Sequence, residues 1–253
     1  ISEALHSILK GCSGAQIRTI NLSTTLSTNT IVTGRTEKVG MFVIPGPGID
    51  ARSYALGDQY HILSGCTDHR GAVSAKARVE FVKPLAAKCR EEDIRVYGVV
   101  GKFCTRNPEQ ELAISGALAP QADFISQGHR VSEALNFGRR ISTAYYNSAV
   151  WRTFNNFANA LEQSVRNLNL QSDINIVKAD GGTMPIRLAR EIPVQSIFSG
   201  PAASVMGILS TVPVSEDALI LDIGGTTTDI AVLLNGIPLL ERDGISIGEH
   251  QTL

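Results

Sequence analysis

Hydrophobic and polar positions change their period repeatedly along the chain. Residues 38–46 (KVGMFVIPG) and 94–103 (IRVYGVVGKF) are short apolar runs, the pattern of strands that are buried on both faces. Residues 136–168 instead repeat apolar side chains every three to five positions, which predicts one long helix. Strand-like and helix-like segments alternate through most of the sequence, and this order predicts an α/β fold.

The last third of the chain predicts strands joined by tight turns. Residues 218–244 have the pattern strand, loop, strand, turn, strand, and Asn235-Gly236 between apolar runs is a strong hairpin signal. A strand followed by a turn is predicted at residues 174–182, and a Gly-Pro turn followed by a helix of small residues at 196–210. Upstream, residues 106–118 predict a helix with Asn107 as its N-cap and Pro108 as its first residue.

Composition narrows the class of protein. The chain has 253 residues, of which 43% are hydrophobic and 19% charged, and this predicts a soluble globular protein of one large or two smaller domains. A net charge of -1 provides no field to attract nucleic acid or an anionic membrane, so neither is an expected partner. The four cysteines form no C-x-x-C pair, and we expect a cytoplasmic location. The chain starts at Ile1 without a methionine, and we expect it to be a fragment.

The segment LDIGGTTTDIAV at residues 221–232 combines the donors that a phosphate needs with two carboxylates. Paired glycines let the backbone turn tightly and bring its N–H groups close to a ligand, and the threonines add hydroxyl donors. Bound phosphates commonly come with Mg²⁺, which takes carboxylates through its water shell. Asp222 and Asp229 are therefore the predicted metal ligands and catalytic residues, through the metal or by orienting an attacking water. The predicted phosphate ligands are Gly224, Gly225, Thr226, Thr227 and Thr228.

This loop differs from the commonest nucleotide-binding loops. No G-K-[ST] follows it, as a Walker A loop requires, and a strand rather than a helix comes next, unlike the dinucleotide-binding fingerprint. Two further glycine turns lie upstream, at residues 178–185 and 198–207, and the second leads into a predicted helix whose N–H groups would meet an anion. Each turn alone is compatible with a purely structural role. Their candidate cofactor-binding residues are Gly181, Gly182, Thr183 and Gly200.

Four stretches stand in a fixed order along the chain. They are NLSTTLSTNTIVTGRTEKVGMFVIPG, then DGGTMP, then SGPAASVMG, and finally LDIGGTTTDIAVL. Together they resemble the hydantoinase A/5-oxoprolinase family, although Asp180 stands where asparagine is usual in the second motif. The family comprises ATP-dependent amidohydrolases of cyclic imides and lactams, and related subunits of acetone- and acetophenone-type carboxylases.

The resemblance implies an actin-like ATPase architecture of the sugar-kinase and heat-shock type, with mixed sheets and flanking helices. In that architecture ATP and Mg²⁺ lie between two lobes, each with one phosphate loop, and residues 224–228 would be the second loop. The first loop has no counterpart in this sequence, so the resemblance implies an incomplete architecture. We expect residues 1–168 to form the N-terminal hydantoinase/oxoprolinase-type region and residues 169–253 to begin the second lobe.

The resemblance also implies a function, the nucleotide-phosphate-binding part of an enzyme that opens a cyclic imide or lactam ring. ATP would phosphorylate an amide or carbonyl oxygen and so turn it into a leaving group. A small cyclic amide is the expected substrate, and a second hydantoinase-type subunit is an expected partner. Two other functions stay open: a subunit of an ATP-dependent ketone carboxylase, and a non-catalytic actin-like binding module.

Three smaller clusters fit structural roles better than chemical ones. Cys66, Asp68 and His69 share one loop, where neighbouring side chains rarely point together at a metal. The pair His129–Arg130 precedes a helix and is a weaker candidate for contact with an anionic substrate. The pair Arg139–Arg140 begins the long helix, where a solvated face or an ion pair is expected.

Overall fold

The structure is a computed structural model that describes residues 2–8, 17–57, 59–224, 228–241 and 244–252. The chain divides into two compact units. We call Ile1–Gly34 with Thr153–Arg242 the hairpin unit, and Arg35–Arg152 with Asp243–Leu253 the parallel-sheet unit. The boundary predicted at residue 168 concerns regions of the family's fold, and it stays a prediction.

Strands and helices alternate along the chain, as the sequence predicts. The strands of the described residues are β1 (Thr19–Leu22), β2 (Val39–Ile44), β3 (Gln59–Ile62), β4 (Cys66–Thr67), β5 (Val73–Ala75), β6 (Val96–Gly101), β7 (Phe124–Gln127), β8 (Asp173–Val177), β9 (Thr183–Pro185), β10 (Ala218–Ile223), β11 (Thr228–Leu234), β12 (Ile237–Pro238), β13 (Ser246–Ile247) and β14 (His250–Gln251). The helices are α1 (Ser2–Ile8), α2 (Leu26–Val32), α3 (Val82–Glu91), α4 (Glu109–Leu118), α5 (Gly128–Val131), α6 (Phe137–Asn167), α7 (Ile186–Ala189) and α8 (Ser199–Thr211). Short 3-10 turns occur at Ala51–Tyr54, Val79–Phe81, Ala119–Gln121 and Pro193–Ser196.

The parallel-sheet unit is built on four parallel strands in the order β3-β2-β6-β7. Strands β2 and β6 are buried along their whole length, which explains their continuous apolar runs. Successive side chains of β2 point to opposite faces. Met41 and Val43 pack in one cluster with Ile141 of α6, whereas Phe42 and Ile44 pack in a second cluster with residues of α3 and α4. The two clusters hold the sheet between helices, as the predicted α/β class requires.

The hairpin unit contains two small sheets, β1-β8-β9 and β10-β11-β12. Its largest core cluster joins the second half of α6 to the first sheet, through Phe154, Leu161 and Ile176 among others. In the second sheet, Ile220 and Leu233 point to one face and are 7% and 0% exposed. The side chains on the opposite face are apolar and exposed: Leu219, Leu221, Ile223, Ile230, Val232, Leu234 and Ile237.

The Asn-Gly turn predicted between β11 and β12 is confirmed. Asn235 has a φ of 51° and Gly236 a φ of 76°, the pair of left-handed conformations that a two-residue hairpin turn needs. The long helix predicted at residues 136–168 is also confirmed, as α6. No helix among the described residues is both long and apolar enough to cross a lipid bilayer.

Two local predictions need correction. The Gly-Pro pair at residues 200–201 lies inside the first turn of α8 rather than in a turn before it, because proline is tolerated where a helix N–H has no partner. Helix α4 begins at Glu109, so Pro108 is its N-cap rather than its first residue. Asn107 nevertheless caps this end, since its side-chain oxygen accepts from the N–H of Glu109 at 3.0 Å.

Candidate functional site

The two aspartates of the predicted phosphate loop lie opposite each other. Strands β10 and β11 pair antiparallel with Asp222 beside Asp229 and Ile223 beside Thr228. Directly opposed residues of an antiparallel pair share one face, so the two carboxylates are neighbours at the end of the hairpin. Gly224 and Thr228 are exposed where the strands end. The predicted ligands Gly225, Thr226 and Thr227 lie outside the described residues, and their role stays a prediction.

Two opposed carboxylates repel each other unless a cation lies between them. The hydroxyl of Ser204 on α8 donates to Asp222 Oδ2 at 2.7 Å and orients this carboxylate. Carboxylate oxygens are ligands that Mg²⁺ prefers, and water usually supplies the rest of its coordination shell. Within the described residues no group of three or more His, Cys, Asp and Glu side chains converges on a metal position. The role of Asp222 and Asp229 as metal ligands therefore stays a prediction.

The start of α8 is fastened to the threonine-rich segment of the first motif. The N–H of Thr24 donates to Ser199 Oγ at 3.1 Å, and this hydroxyl donates back to the Thr24 carbonyl at 2.9 Å. One residue earlier, the N–H of Phe198 donates to Thr28 Oγ1 at 3.0 Å. Phe198 has a φ of 58°, so the chain enters the helix through a left-handed residue held by this bond. The first and third motifs thus form one local structure.

Gly200 lies in the first turn of α8, close to the same segment. A Cβ atom at this position would lie 3.0 Å from Thr25 Cγ2, which is tighter than ordinary van der Waals contact. The glycine therefore avoids a tight contact with the methyl group of Thr25, whatever else it does. Its predicted contact with a phosphate stays a prediction.

The DGGTMP motif forms a closed turn between β8 and β9. The Asp180 carboxylate accepts from the N–H of Gly182 at 2.9 Å and from Lys178 Nζ at 2.7 Å. Gly181 has a φ of 80°, a left-handed conformation that disfavours other residues. Thr183 is exposed at the start of β9. The turn therefore has structural reasons for its aspartate and first glycine, and the predicted phosphate contacts of Gly181, Gly182 and Thr183 stay predictions.

Helix α8, which carries the third motif, contacts each of the other three motifs. Ser199 at its start contacts the threonine-rich segment, and Ser204 in its middle binds Asp222 of the hairpin. Two residues further along, Met206 lies against the DGGTMP turn, since a Cβ atom on Gly181 would be 3.1 Å from Met206 Sδ. The candidate site is thus built around α8, and the other three motifs contact this helix at three successive positions along it.

We expect Asp180→Asn to remove a pH-dependent part of the stability. Partial burial disfavours the charged carboxylate, but hydrogen bonds from Lys178 and Gly182 outweigh it and hold the pKa of Asp180 below its ordinary value. A carboxyl with a lowered folded-state pKa stabilises the fold above its unfolded pKa of about 3.9, and this stabilisation is lost as pH falls through the lower value. Because the group is half-exposed, the difference should be only on the order of a few tenths of a kcal/mol.

Urea unfolding of both proteins between about pH 3 and pH 7 measures the effect, and the two stabilities should converge at the acid end. Asp173→Asn, at an exposed site on β8, is the matched control and should show no such convergence. A constant difference between wild type and Asp180→Asn at every pH would contradict the prediction.

The loop with Cys66, Asp68 and His69 has a structural role. Asp68 Oδ1 accepts from the N–H groups of Arg70 at 2.8 Å and Ala72 at 2.9 Å, which closes the turn between β4 and β5. The bond from Ala72 is the largest cause that holds the pKa of Asp68 below its ordinary value. His69 is exposed, and among the described residues no three such side chains converge on a metal position.

One buried charged cluster was not predicted from the sequence. Glu111 of α4 and Arg140 of α6 are both 0% exposed, with Arg140 Nη1 3.7 Å from Glu111 Oε1. The expectation of a solvated face is therefore wrong for Arg140, and the alternative of an ion pair is right. A signal was present, because Glu111 shares its helix face with the apolar Ile114 and Leu118 at the spacing i, i+3 and i+7.

Comparisons with known proteins agree with this architecture. The family model described as Hydantoinase/oxoprolinase N-terminal region matches residues 1–120, and the model described as Hydantoinase/oxoprolinase matches residues 140–250. Two solved structures share the fold over 91% of this chain: a nucleotide-free acetone carboxylase at TM-score 0.76 and 18% identity, and the ATP-dependent caprolactamase from Pseudomonas jessenii at TM-score 0.72 and 19% identity. The predicted α/β fold of the actin-like ATPase type is thereby confirmed. The match covers 37% and 38% of those two chains.

Two curated relatives are similar in sequence. The caprolactamase subunit alpha of Pseudomonas jessenii is 26% identical over 159 residues, which are 61% of this chain and 23% of that protein. An uncharacterized protein of Methanocaldococcus jannaschii is 23% identical over 181 residues, which are 70% of this chain and 26% of that protein. The chain thus spans about a quarter of the length of these relatives. Two models of one family match in order over nearly all of it, and the chain belongs to the hydantoinase/oxoprolinase family.

Proposed function

We propose that this chain is the nucleotide-phosphate-binding part of an ATP-dependent hydantoinase/5-oxoprolinase-type amidohydrolase that opens a cyclic imide or lactam ring. The observation that carries the proposal is the opposed pair of Asp222 and Asp229 beside the Gly-Gly-Thr-Thr-Thr loop. Family membership supports it, and so does the caprolactamase relative, whose name denotes a cyclic amide. That relative is a subunit alpha, which supports a second subunit as a partner.

Each group of the candidate site has a proposed chemical role in this function. ATP, when bound, would supply the phosphoryl group that activates the amide carbonyl for attack by water, and the ring opens when its C–N bond breaks and phosphate is released. Asp222 and Asp229 would hold Mg²⁺ or orient the attacking oxygen, and Ser204 fixes the direction of the Asp222 carboxylate. Backbone N–H and hydroxyl donors would bind the phosphate oxygens without help from a lysine. The proposed donors are Gly224, Gly225, Thr226, Thr227 and Thr228, with Gly181, Gly182, Thr183 and Gly200 as further candidates.

A second candidate function is a subunit of an ATP-dependent ketone carboxylase. The acetone carboxylase structure, which shares the fold at TM-score 0.76, favours this alternative. Both reactions begin by activating an oxygen with ATP, so the same phosphate loop serves either one. A third candidate is an actin-like module that binds nucleotide without turnover.

We expect Asp222→Asn in the full-length protein to lower substrate-dependent ATP turnover roughly 10²–10³-fold, the size typical of losing one preorganised electrostatic group. The variant keeps the side-chain shape but loses the charge that would attract Mg²⁺. Phosphate release is measured with hydantoins and lactams in one series and with acetone plus bicarbonate in another. Asp173→Asn, at an exposed aspartate of the same unit, is the control and should keep full activity.

The outcomes separate the three candidates. Stimulation by a cyclic amide supports the amidohydrolase, and stimulation by ketone plus bicarbonate supports the carboxylase. Calorimetric binding of Mg-ATP without turnover on either series would indicate the binding module. Full turnover in Asp222→Asn would exclude the role proposed for this carboxylate.

A further inference from the structure

We propose that a cavity beside the end of β3 binds a small carboxylate with an apolar body, and that Arg78 holds the charged group. The cavity has a volume of about 480 Å³ and lies within the parallel-sheet unit. Ligand pockets commonly measure about 300–1,000 Å³, so this one has room for one ring or a short branched chain. The site uses none of the residues of the phosphate loop and does not rest on the proposed ATP chemistry.

Most of the side chains that line the cavity are apolar. Leu63 is 6% exposed and belongs to the core cluster between the sheet and helices α3 and α4, and Leu85 packs against the same cluster. Ile62 and Phe81 line the cavity as well, yet they are 44% and 49% exposed. Removing apolar surface from water is favourable. A ligand with an apolar body would therefore be stabilised by covering these two side chains.

The 3-10 turn at Val79–Phe81 places the guanidinium of Arg78 over the ring of Phe81. The N–H of Phe81 donates to the Arg78 carbonyl at 3.2 Å. Side chains three residues apart are eclipsed in a 3-10 turn, so the two residues lie on the same side of it. Arg78 Cζ is 5.9 Å from the centroid of the Phe81 ring, within the range of a cation–π contact. The cation is thereby held beside an apolar side chain of the cavity.

The segment that carries Arg78 is fixed against the end of β3. The N–H of Leu63 donates to the Val43 carbonyl at 2.8 Å, so sheet bonding continues one residue past β3. A Cβ atom on Gly65 would lie 3.2 Å from Ala77 Cα, which shows how closely the two segments approach. Ala77 also packs against the core cluster of Leu63. The site is therefore preorganised, and a ligand does not have to order the chain when it binds.

Arg78 gives the cavity a preference for an anion. Among the described residues that line it, Arg78 alone is charged. Its guanidinium forms no ion pair and no side-chain hydrogen bond with the described residues. The planar guanidinium presents paired N–H donors that match the two oxygen atoms of a carboxylate. Ser64, whose side chain is exposed at the same cavity, adds one hydroxyl donor.

The test compares three probes by calorimetry on the 253-residue chain. Phenylacetate has the apolar body and the carboxylate, phenylacetamide has the same body without the charge, and acetate has the carboxylate without the ring. We expect saturable binding of phenylacetate, roughly tenfold weaker binding of phenylacetamide and no saturable binding of acetate. In NMR spectra phenylacetate should shift the methyl signals of Ile62 and Leu85. The methyl signals of Leu112, which is exposed on α4, are the control and should not shift.

Two variants test the polar and the apolar part of the site separately. Arg78→Gln should weaken the binding of phenylacetate roughly tenfold, since a charge-assisted hydrogen bond is lost, and should leave phenylacetamide unaffected. Ile62→Thr keeps a β-branched side chain in the strand and should weaken both ligands roughly three- to tenfold through lost apolar contact. Arg70→Gln, which removes an exposed arginine outside the cavity, should change neither affinity.

Circular dichroism checks that each variant is folded. Three results would each overturn the proposal: no saturable binding of phenylacetate, equal affinity for phenylacetate and phenylacetamide, or an affinity for phenylacetate that Arg78→Gln leaves unchanged.

Discussion

Replacing Glu111 with alanine is expected to lower the free energy of unfolding by about 3–5 kcal/mol, the range for removing one partner of a buried ion pair. The side chain is 0% exposed and accepts from the N–H groups of Gly101 and His129. Its loss leaves these donors unpaired and leaves the Arg140 guanidinium buried without its counter-charge. Burial already lowers the pKa of Arg140 from its ordinary value, which shows that the site disfavours an uncompensated cation.

Glu109→Ala is the matched control for this experiment. Glu109 lies on the same helix, but its side chain is 55% exposed and its nearest cation, Lys76 Nζ, is 3.9 Å away. Its removal should change the stability by less than about 1 kcal/mol. Urea unfolding followed by circular dichroism measures both variants. Similar losses for the two glutamates would contradict the structure of the buried cluster.

Replacing Gly236 with alanine is expected to cost about 2–5 kcal/mol, the sum of about 1–2 for a left-handed backbone and about 1–3 for overpacking. The residue has a φ of 76°, which an L-amino acid with a Cβ atom rarely adopts. That Cβ atom would also lie 2.2 Å from the carbonyl oxygen of Val214. Since the Cβ atom is fixed in place by its own backbone and the carbonyl oxygen is a backbone atom, neither can rotate away, and the turn between β11 and β12 has to shift. The same sheet carries Asp222 and Asp229.

Gly34→Ala separates the two contributions. Gly34 also lies in the hairpin unit and has a φ of 65°, but no atom lies within 4 Å of a Cβ atom built on it. This variant should therefore show only the cost of the left-handed backbone, about 1–2 kcal/mol. Urea unfolding compares the two glycines directly. A loss for Gly236→Ala that is no larger than the loss for Gly34→Ala would mean that the contact with Val214 has no energetic weight.

The sequence predicts those parts of the candidate site whose residues are close together along the chain. A hairpin with a short polar tip brings the residues on either side of the tip together, so the sequence alone places Asp222 near Asp229. The glycines of residues 178–185 likewise indicate a turn because only glycine adopts φ of 80° without strain. Sequence could not show that Ser204 binds Asp222, because α8 and β10 meet only after the sheet packs against the helix.

The sequence by itself determined the alternation of strands and helices, the Asn-Gly turn, the opposed aspartates and the family. These follow from periodicity, turn chemistry and ordered motifs, each of which is read from a few neighbouring residues. Only the tertiary structure decided that three motifs meet on α8 and that Arg140 is buried against Glu111. The physical reason is that a charged side chain is buried only when a partner from another element compensates it, and no local pattern encodes that partner. The packing of α4 and α6 against the end of β6 supplied that partner.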